Sequence, residues 1–118
     1  MSYDIDLLDP VTRKVIIFED RHHMRGGTFE VGGSNEASLN ITYNYAKFFY
    51  DHMGDEGIRS IYGKSGADSI PMLEGVIAAL GDDVNEDYWE ATEGNAKMAL
   101  YGLLALAKMR PDGIWAGD

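Results

Sequence analysis

Thr42-Tyr43-Asn44-Tyr45-Ala46-Lys47-Phe48-Phe49-Tyr50-Asp51-His52-Met53-Gly54 divides the chain into two kinds of pattern. Within it Tyr45, Phe48, Phe49 and His52 recur at i, i+3, i+4 and i+7, the spacing of one helix face, and Gly54 ends the run. Before it the pattern is that of strands. Tyr3-Asp4-Ile5-Asp6-Leu7 alternates apolar and polar, Asp9-Pro10-Val11-Thr12 has turn composition, and Val15-Ile16-Ile17-Phe18 is a β-branched run. Together these predict a hairpin. Gly26-Gly27 and Gly32-Gly33 flank Thr28-Phe29-Glu30-Val31, a third expected strand, and a fourth is expected between Glu36 and Ile41. After the dividing stretch the pattern is helical. Asp68 or Ser69 is the expected cap of a second helix, with Pro71 in its first turn and Ile70, Leu73, Val76, Ile77 and Leu80 as its stripe before Gly81. Thr92 is the expected cap of a last helix whose stripe is Ala96, Leu100, Leu103, Leu104 and Ala107, ending at Arg110 because Pro111 cannot continue it. Ile58 to Tyr62 is too short to classify by period and reads as one helical turn or two. Ile114 and Trp115 are expected to fold back under cover. The predicted class is α+β, an N-terminal antiparallel hairpin or small sheet of three to four strands packed against a C-terminal bundle of three to four helices.

At 118 residues the chain has the length of a single domain, here residues 1–118, and its 45% hydrophobic content is too high for disorder. No apolar run approaches the roughly 20 residues that a membrane span needs, and Met1-Ser2-Tyr3-Asp4-Ile5-Asp6 has neither the basic start nor the apolar stretch of a secretory signal. A cytoplasmic location is the expectation. With no cysteine, disulfides, thiol nucleophiles and cysteine-held metals are excluded. Twenty acids stand against ten bases, a net charge of −10, and the excess is uneven: ten acids and seven bases in residues 1–64, ten and three in residues 65–118. Between Lys64 and Lys97 lie eight acids and no base, six of them from Asp82 to Glu93. A field of that sign repels nucleic acid and anionic membrane and can attract a basic partner or a cation.

Several motifs carry possible chemistry. Gly63-Lys64-Ser65 has the end of a phosphate-binding loop, but the glycine that should precede it by a fixed interval falls at Ile58, so the register fails. A softer reading remains, in which Arg59, Tyr62, Lys64 and Ser65 line a small anion pocket. Asp83-x-Asn85-x-Asp87 matches the first ligand positions of a calcium loop, yet Tyr88 stands where glycine is needed and Gly94 where the bidentate glutamate belongs. His22 and His23 are adjacent, so on a strand they point to opposite faces and do not share an ion. No metal and no cofactor is therefore expected. No nucleophile–base spacing for catalysis is identifiable. Asn40-Ile41-Thr42-Tyr43-Asn44-Tyr45 alternates amides and phenols at the strand–helix junction, either as caps and buried hydrogen-bonding groups or as a recognition site in which Tyr43 and Asn44 project beside Arg59 or Asn95.

Tyr3-Asp4-Ile5-Asp6-Leu7-Leu8-Asp9-Pro10, Gly26-Gly27-Thr28, Leu39-Asn40-Ile41-Thr42-Tyr43-Asn44-Tyr45, the stretch from Ile61 to Glu74 and Met109-Arg110-Pro111-Asp112-Gly113-Ile114-Trp115 together resemble a group of short uncharacterised phage and prophage proteins. The resemblance covers nearly the full length and implies a phage context, with no activity and no residue roles. Small acidic phage proteins often act on host machinery by binding, including inhibitors of host defence that imitate DNA with carboxylates, which is an analogy of charge and size.

The leading expectation is thus a non-enzymatic interaction protein in which Asp82, Asp83, Glu86, Asp87 and Glu90 supply charge and Trp89 an apolar anchor for a basic site on a host or phage protein. The rival is a small-ligand or nucleotide-sequestering protein using Tyr43, Asn44, Arg59, Tyr62, Lys64 and Ser65. Trp89, Trp115 and the aromatic first helix offer more apolar surface than one small core needs, so a homodimer is a further expectation.

Overall fold

β1, Ser2–Leu8, is the strand that the alternation marks most clearly, and it becomes the centre of the main sheet. Tyr3, Ile5 and Leu7 point into the core while Asp4 and Asp6 face away. The computed structural model describes residues 1–24, 26–27 and 32–118, so the third strand expected at Thr28–Val31 lies outside the described residues. On one edge β1 pairs antiparallel with β4, Ser38–Thr42, setting Tyr3 against Ile41 and Ile5 against Leu39. Outward-facing neighbours bond across the same register: Ser38 Oγ donates to Asp6 at 2.6 Å and Asn40 Nδ2 to Asp4 at 2.6 Å. On the other edge lies β5, Ile114–Gly117, with Trp115 opposite Leu7.

The expected hairpin forms at its turn and then opens. Asp9 Oδ1 accepts from the N–H groups of Val11 and Thr12 at 2.9 and 3.0 Å, and Val15 returns as an isolated bridge to Leu8. Ile16 is buried, but the strand that follows, β2 (Ile17–His22), runs through Glu19-Asp20-Arg21 and leaves the main sheet. It pairs instead with β3, Ser34–Glu36, in a separate two-stranded sheet. The β1 edge on which the hairpin starts belongs to β4: Leu7 O accepts from Ile16 N while Leu7 N donates to Ala37 O, and the buried Leu39 and Ile41 of β4 cover apolar area there that the charged β2 residues cannot.

Thr42 Oγ1 accepts from Asn44 N at 3.1 Å and opens a 3₁₀ turn, Tyr43–Tyr45, that runs into α1, Ala46–Met53. Gly54, at φ 85°, ends it. Tyr45 and Phe49 are buried and Met53 is partly so; His52, expected on this apolar face, is instead exposed. Gly57–Ile61 is a second 3₁₀ turn that buries Ile58 and Ile61.

α2, Gly66–Ala79, begins about one turn before its expected cap, because Ser65 Oγ accepts from Asp68 N at 3.0 Å and takes that role. Ser69, the expected alternative cap, is buried; its Oγ donates to Gly66 O and accepts from Trp115 Nε1, each at 2.8 Å. Thr92 caps α3, Glu93–Met109, as the sequence predicts. α2 and α3 pack as a pair through Leu73, Val76, Ile77, Leu100, Leu103 and Leu104, and close over the inner face of the main sheet. Five strands in two antiparallel sheets and three α-helices among the described residues make an α+β fold.

Candidate functional site

Residues 81–92 connect α2 to α3 with no regular secondary structure, and they hold the densest acidic run of the chain. Their backbone is nonetheless fixed from several sides. Asn95, buried in the first turn of α3, accepts from Asn85 N through Oδ1 at 3.0 Å and donates through Nδ2 to the carbonyls of Asp87 and Glu90, each at 3.0 Å. Asp83 Oδ1 accepts from Gly94 N at 3.0 Å, next to a helix glycine at which a Cβ would lie 2.5 Å from Val84 N. Only glycine lets the connector backbone lie against this turn. Asn85 and Asp87 each close a local turn, accepting from Asp87 N at 2.8 Å and Trp89 N at 3.1 Å.

Tyr88 fastens the connector to the strand–helix junction. Its hydroxyl accepts from Thr42 N at 3.0 Å and donates to Asn40 O at 3.3 Å, while Tyr45 donates its own hydroxyl to Tyr88 O. The Tyr45 and Tyr88 rings meet edge to face at 5.5 Å, and Tyr88 meets Trp89 the same way at 5.0 Å. Asn44 Nδ2 donates to Trp89 O at 2.9 Å. The amide–phenol stretch at the junction is therefore used chiefly as caps and connector anchors.

What the connector offers to solvent is one half-exposed indole, Trp89, at 50% exposure, with acids on both sides of it in the sequence. Asp82, Asp83, Glu86, Asp87 and Glu90 are all exposed. Lys97 donates to Asp82 at 2.6 Å and to Leu80 O at 3.2 Å, and the bond to Asp82 holds its ammonium pKa above the usual lysine value. Asp82 thus carries an internal counter-charge, and Asp83 and Asp87 each have an oxygen on a backbone N–H. Beside Tyr88 lies a shallow depression lined by Tyr45, Tyr88, Asn95, Met98 and Ala99. Met98 and Tyr101 are half-exposed on the adjoining face of α3, off the stripe that spacing assigned to the core, which is the only sequence signal for them.

The six residues of the rival site divide. Tyr43, Arg59 and Tyr62 come together: Arg59 donates to the Asp118 backbone oxygen at 2.8 Å and to the Tyr43 hydroxyl at 3.2 Å, with its guanidinium 4.8 Å from the Tyr3 ring centre and 5.7 Å from that of Tyr43. Burial, with the Asp118 charge second, pushes the Tyr62 phenol up to about 12. Asn44 belongs to the connector, Ser65 caps α2, and Lys64 is exposed. The Gly63–Ala67 backbone runs against the C-terminal segment: Gly63, Gly66 and Ala67 donate to Trp115 O, Gly113 O and Pro111 O, and Lys64 donates to Ile61 O. A phosphate cradle needs such N–H groups unoccupied, and here they are taken.

The calcium-like spacing meets the same fate, since the Oδ1 atoms of Asp83, Asn85 and Asp87 turn to separate backbone donors. Among the described residues no group of three His, Asp or Glu side chains is placed to hold a metal ion. The two histidines diverge. His22 Nε2 bonds the Glu36 carbonyl at 2.6 Å, whereas the His23 ring lies against Gly33, where a Cβ would be 2.7 Å from its Cε1. No helix among the described residues is long and apolar enough to cross a membrane. The chain matches no protein-family model, no curated protein and no solved structure.

Proposed function

We propose that the protein is a phage-encoded, non-enzymatic interaction protein, and that its connector between α2 and α3 occupies a basic site on a host or phage protein. One observation carries the reading. A half-exposed tryptophan stands among acids on a segment without secondary structure whose backbone is held by a buried asparagine and an anchored tyrosine. Loops that present side chains without losing backbone freedom on binding keep more of their contact energy, so such rigidity is what a recognition segment requires. Surplus carboxylates steer a cationic partner and accelerate encounter, and a central aromatic supplies the apolar contact. Occlusion of the partner's site is then steric and electrostatic, with no bond made or broken.

Because Asp83 and Asp87 also hold the connector backbone, the informative variant leaves them in place. Affinity capture from host lysate on wild-type chain and on a Glu86→Gln, Trp89→Ala, Glu90→Gln variant tests the reading. The expected result is a basic protein retained by the wild type, released as salt rises and weakly held by the variant. Retention indifferent to both salt and the three substitutions removes it.

A further inference from the structure

Arg59 is a cation that a surplus of acids leaves without an acid side chain. The chain holds twenty acids against ten bases, yet Arg59 enters none of the ion pairs among the described residues. Its guanidinium lies instead 4.8 Å from the centre of the buried Tyr3 ring and 5.7 Å from that of Tyr43. Stacked on phenols, a guanidinium keeps its in-plane N–H fork for a planar acceptor, and the water lost from its face strengthens its pull on an anion. Two of its five N–H groups are used: Nε donates to the main-chain oxygen of Asp118 at 2.8 Å and Nη2 to the Tyr43 hydroxyl at 3.2 Å. The rest have no protein partner among the described residues.

What meets this fork is a residue of the same chain. Asp118, next after β5, accepts through Oδ1 from the Asp4 N–H at 3.0 Å, and its main-chain oxygen lies 3.5 Å from the Tyr62 hydroxyl. Asp4 contributes its N–H here, while its own carboxylate accepts from Asn40 Nδ2 at 2.6 Å. Gly117 lets Asp118 reach this place, since a Cβ there would lie 2.5 Å from Tyr62 Oη and 2.7 Å from Asp4 O.

We infer that Arg59, Tyr43, Tyr62 and the Asp4 N–H form a binding site for a single carboxylate, and that Asp118 occupies it as an internal ligand which a carboxylate from solution replaces. The inference goes beyond the function proposed above and uses none of the connector's acids. A net charge of −10 opposes a polyanion, so one negative charge is what this site admits. An internal ligand competes at its own effective concentration, of millimolar order, so the emptied site binds more tightly than the occupied one.

The test uses the full chain with Gly117→Ala and Asp118→Ala together, which sets a Cβ against the Asp4 backbone and removes the Oδ1 bond; Asp118→Ala alone is the milder variant should the double one melt early. Probes are N-acetylglycyl-aspartate amide, its asparagine counterpart, acetate and inorganic phosphate. Calorimetry gives affinity, and the Nε–H resonance of Arg59, identified by its loss in Arg59→Lys, gives location. The opened chain is expected to bind the aspartate peptide at least tenfold more tightly than the wild type, with that resonance shifting. Adding Arg59→Lys is expected to cost about tenfold and Tyr43→Phe a few-fold, and the asparagine peptide is expected not to bind. Acetate binding as tightly as the aspartate peptide supports a free small carboxylate as the ligand, and weaker acetate binding supports an acidic residue on an extended strand. No binding by either opened variant, equal affinity in opened and wild-type chains, equal binding of the asparagine peptide, or preference for phosphate each overturns the inference.

Discussion

Asn95 has a side chain that no other residue type replaces at its position. It must accept one hydrogen bond and donate two within the reach of a single methylene, and only a carboxamide does that; Asp cannot donate when ionised, and Gln is longer. Asn95→Ala is expected to destabilise the protein by about 2–3 kcal/mol, because three connector backbone groups lose a partner at a partly buried site. Denaturant unfolding reads the cost, and limited proteolysis is expected to cut between residues 82 and 91 before the fold melts. Tyr88→Phe keeps both ring contacts and removes only the hydroxyl that Thr42 N and Asn40 O share. The expected loss is about 1–2 kcal/mol, smaller because part of the site admits water. An equal loss from Tyr88→Phe and from Tyr88→Ala would show that the rings contribute nothing and that the anchor is the hydroxyl alone.

At the scale of elements, two helix glycines that spacing cannot tell apart should respond with opposite signs. Gly75, in the middle of α2, has nothing within 4 Å of a built Cβ, so Gly75→Ala is expected to stabilise by about 0.5–1 kcal/mol through helix propensity alone. Gly94 opens α3 with Val84 N at 2.5 Å and the carbonyl carbon of Asp83 at 2.6 Å from a built Cβ. Backbone cannot step aside as a flexible side chain can, so Gly94→Ala is expected to lower the melting temperature despite the better propensity, and to free the connector. The contrast also marks what a single sequence carries. α3 was legible because its signals are local: Thr92 to cap it, a stripe at helical spacing, Pro111 to stop it. β5 was legible only as covered apolar residues, since a strand of four residues, Ile114–Gly117, owes its existence to β1 on one side and to the Gly63–Ala67 backbone on the other. The turn at Asp9 was legible, while the departure of β2 was not, because it depends on which strand competes for the β1 edge. The acids and Trp89 of the candidate site were countable in the sequence. That the segment carrying them is held in place was not, because Thr42, Asn44 and Tyr45 lie more than forty residues before the residues they fasten.

At the scale of the whole molecule, stability against pH is bounded by groups that lie far from the connector. On the acid side, N–H bonds from Thr12 and then Val11 hold the Asp9 carboxyl below the usual aspartate range, and the Arg110 guanidinium does the same for Asp112. A lowered folded-state pKa contributes stability that is complete above the unfolded value of about 3.9 and disappears as pH falls through the folded value. Asp9 closes the turn after β1 and also meets Arg110 after α3, so its protonation loosens both ends of the fold at once. On the alkaline side the sign reverses. Burial raises Tyr62 to about 12, with the Asp118 charge adding to it, and burial raises Tyr3 in the same direction. For a phenol with a raised folded-state pKa the stabilising contribution is complete below the unfolded value of about 10 and is lost as pH climbs from there towards 12. The seven tyrosines should therefore not ionise together. Phenolate absorbance is expected to include a step between pH 10 and about 12 that coincides with loss of the far-ultraviolet helix signal. Tyr62→Phe is expected to remove one phenol from that step. Simultaneous ionisation of all seven near pH 10 with the helix signal intact would mean that Tyr62 is solvated in the folded chain, and that the cluster around Arg59 is open to ligands after all.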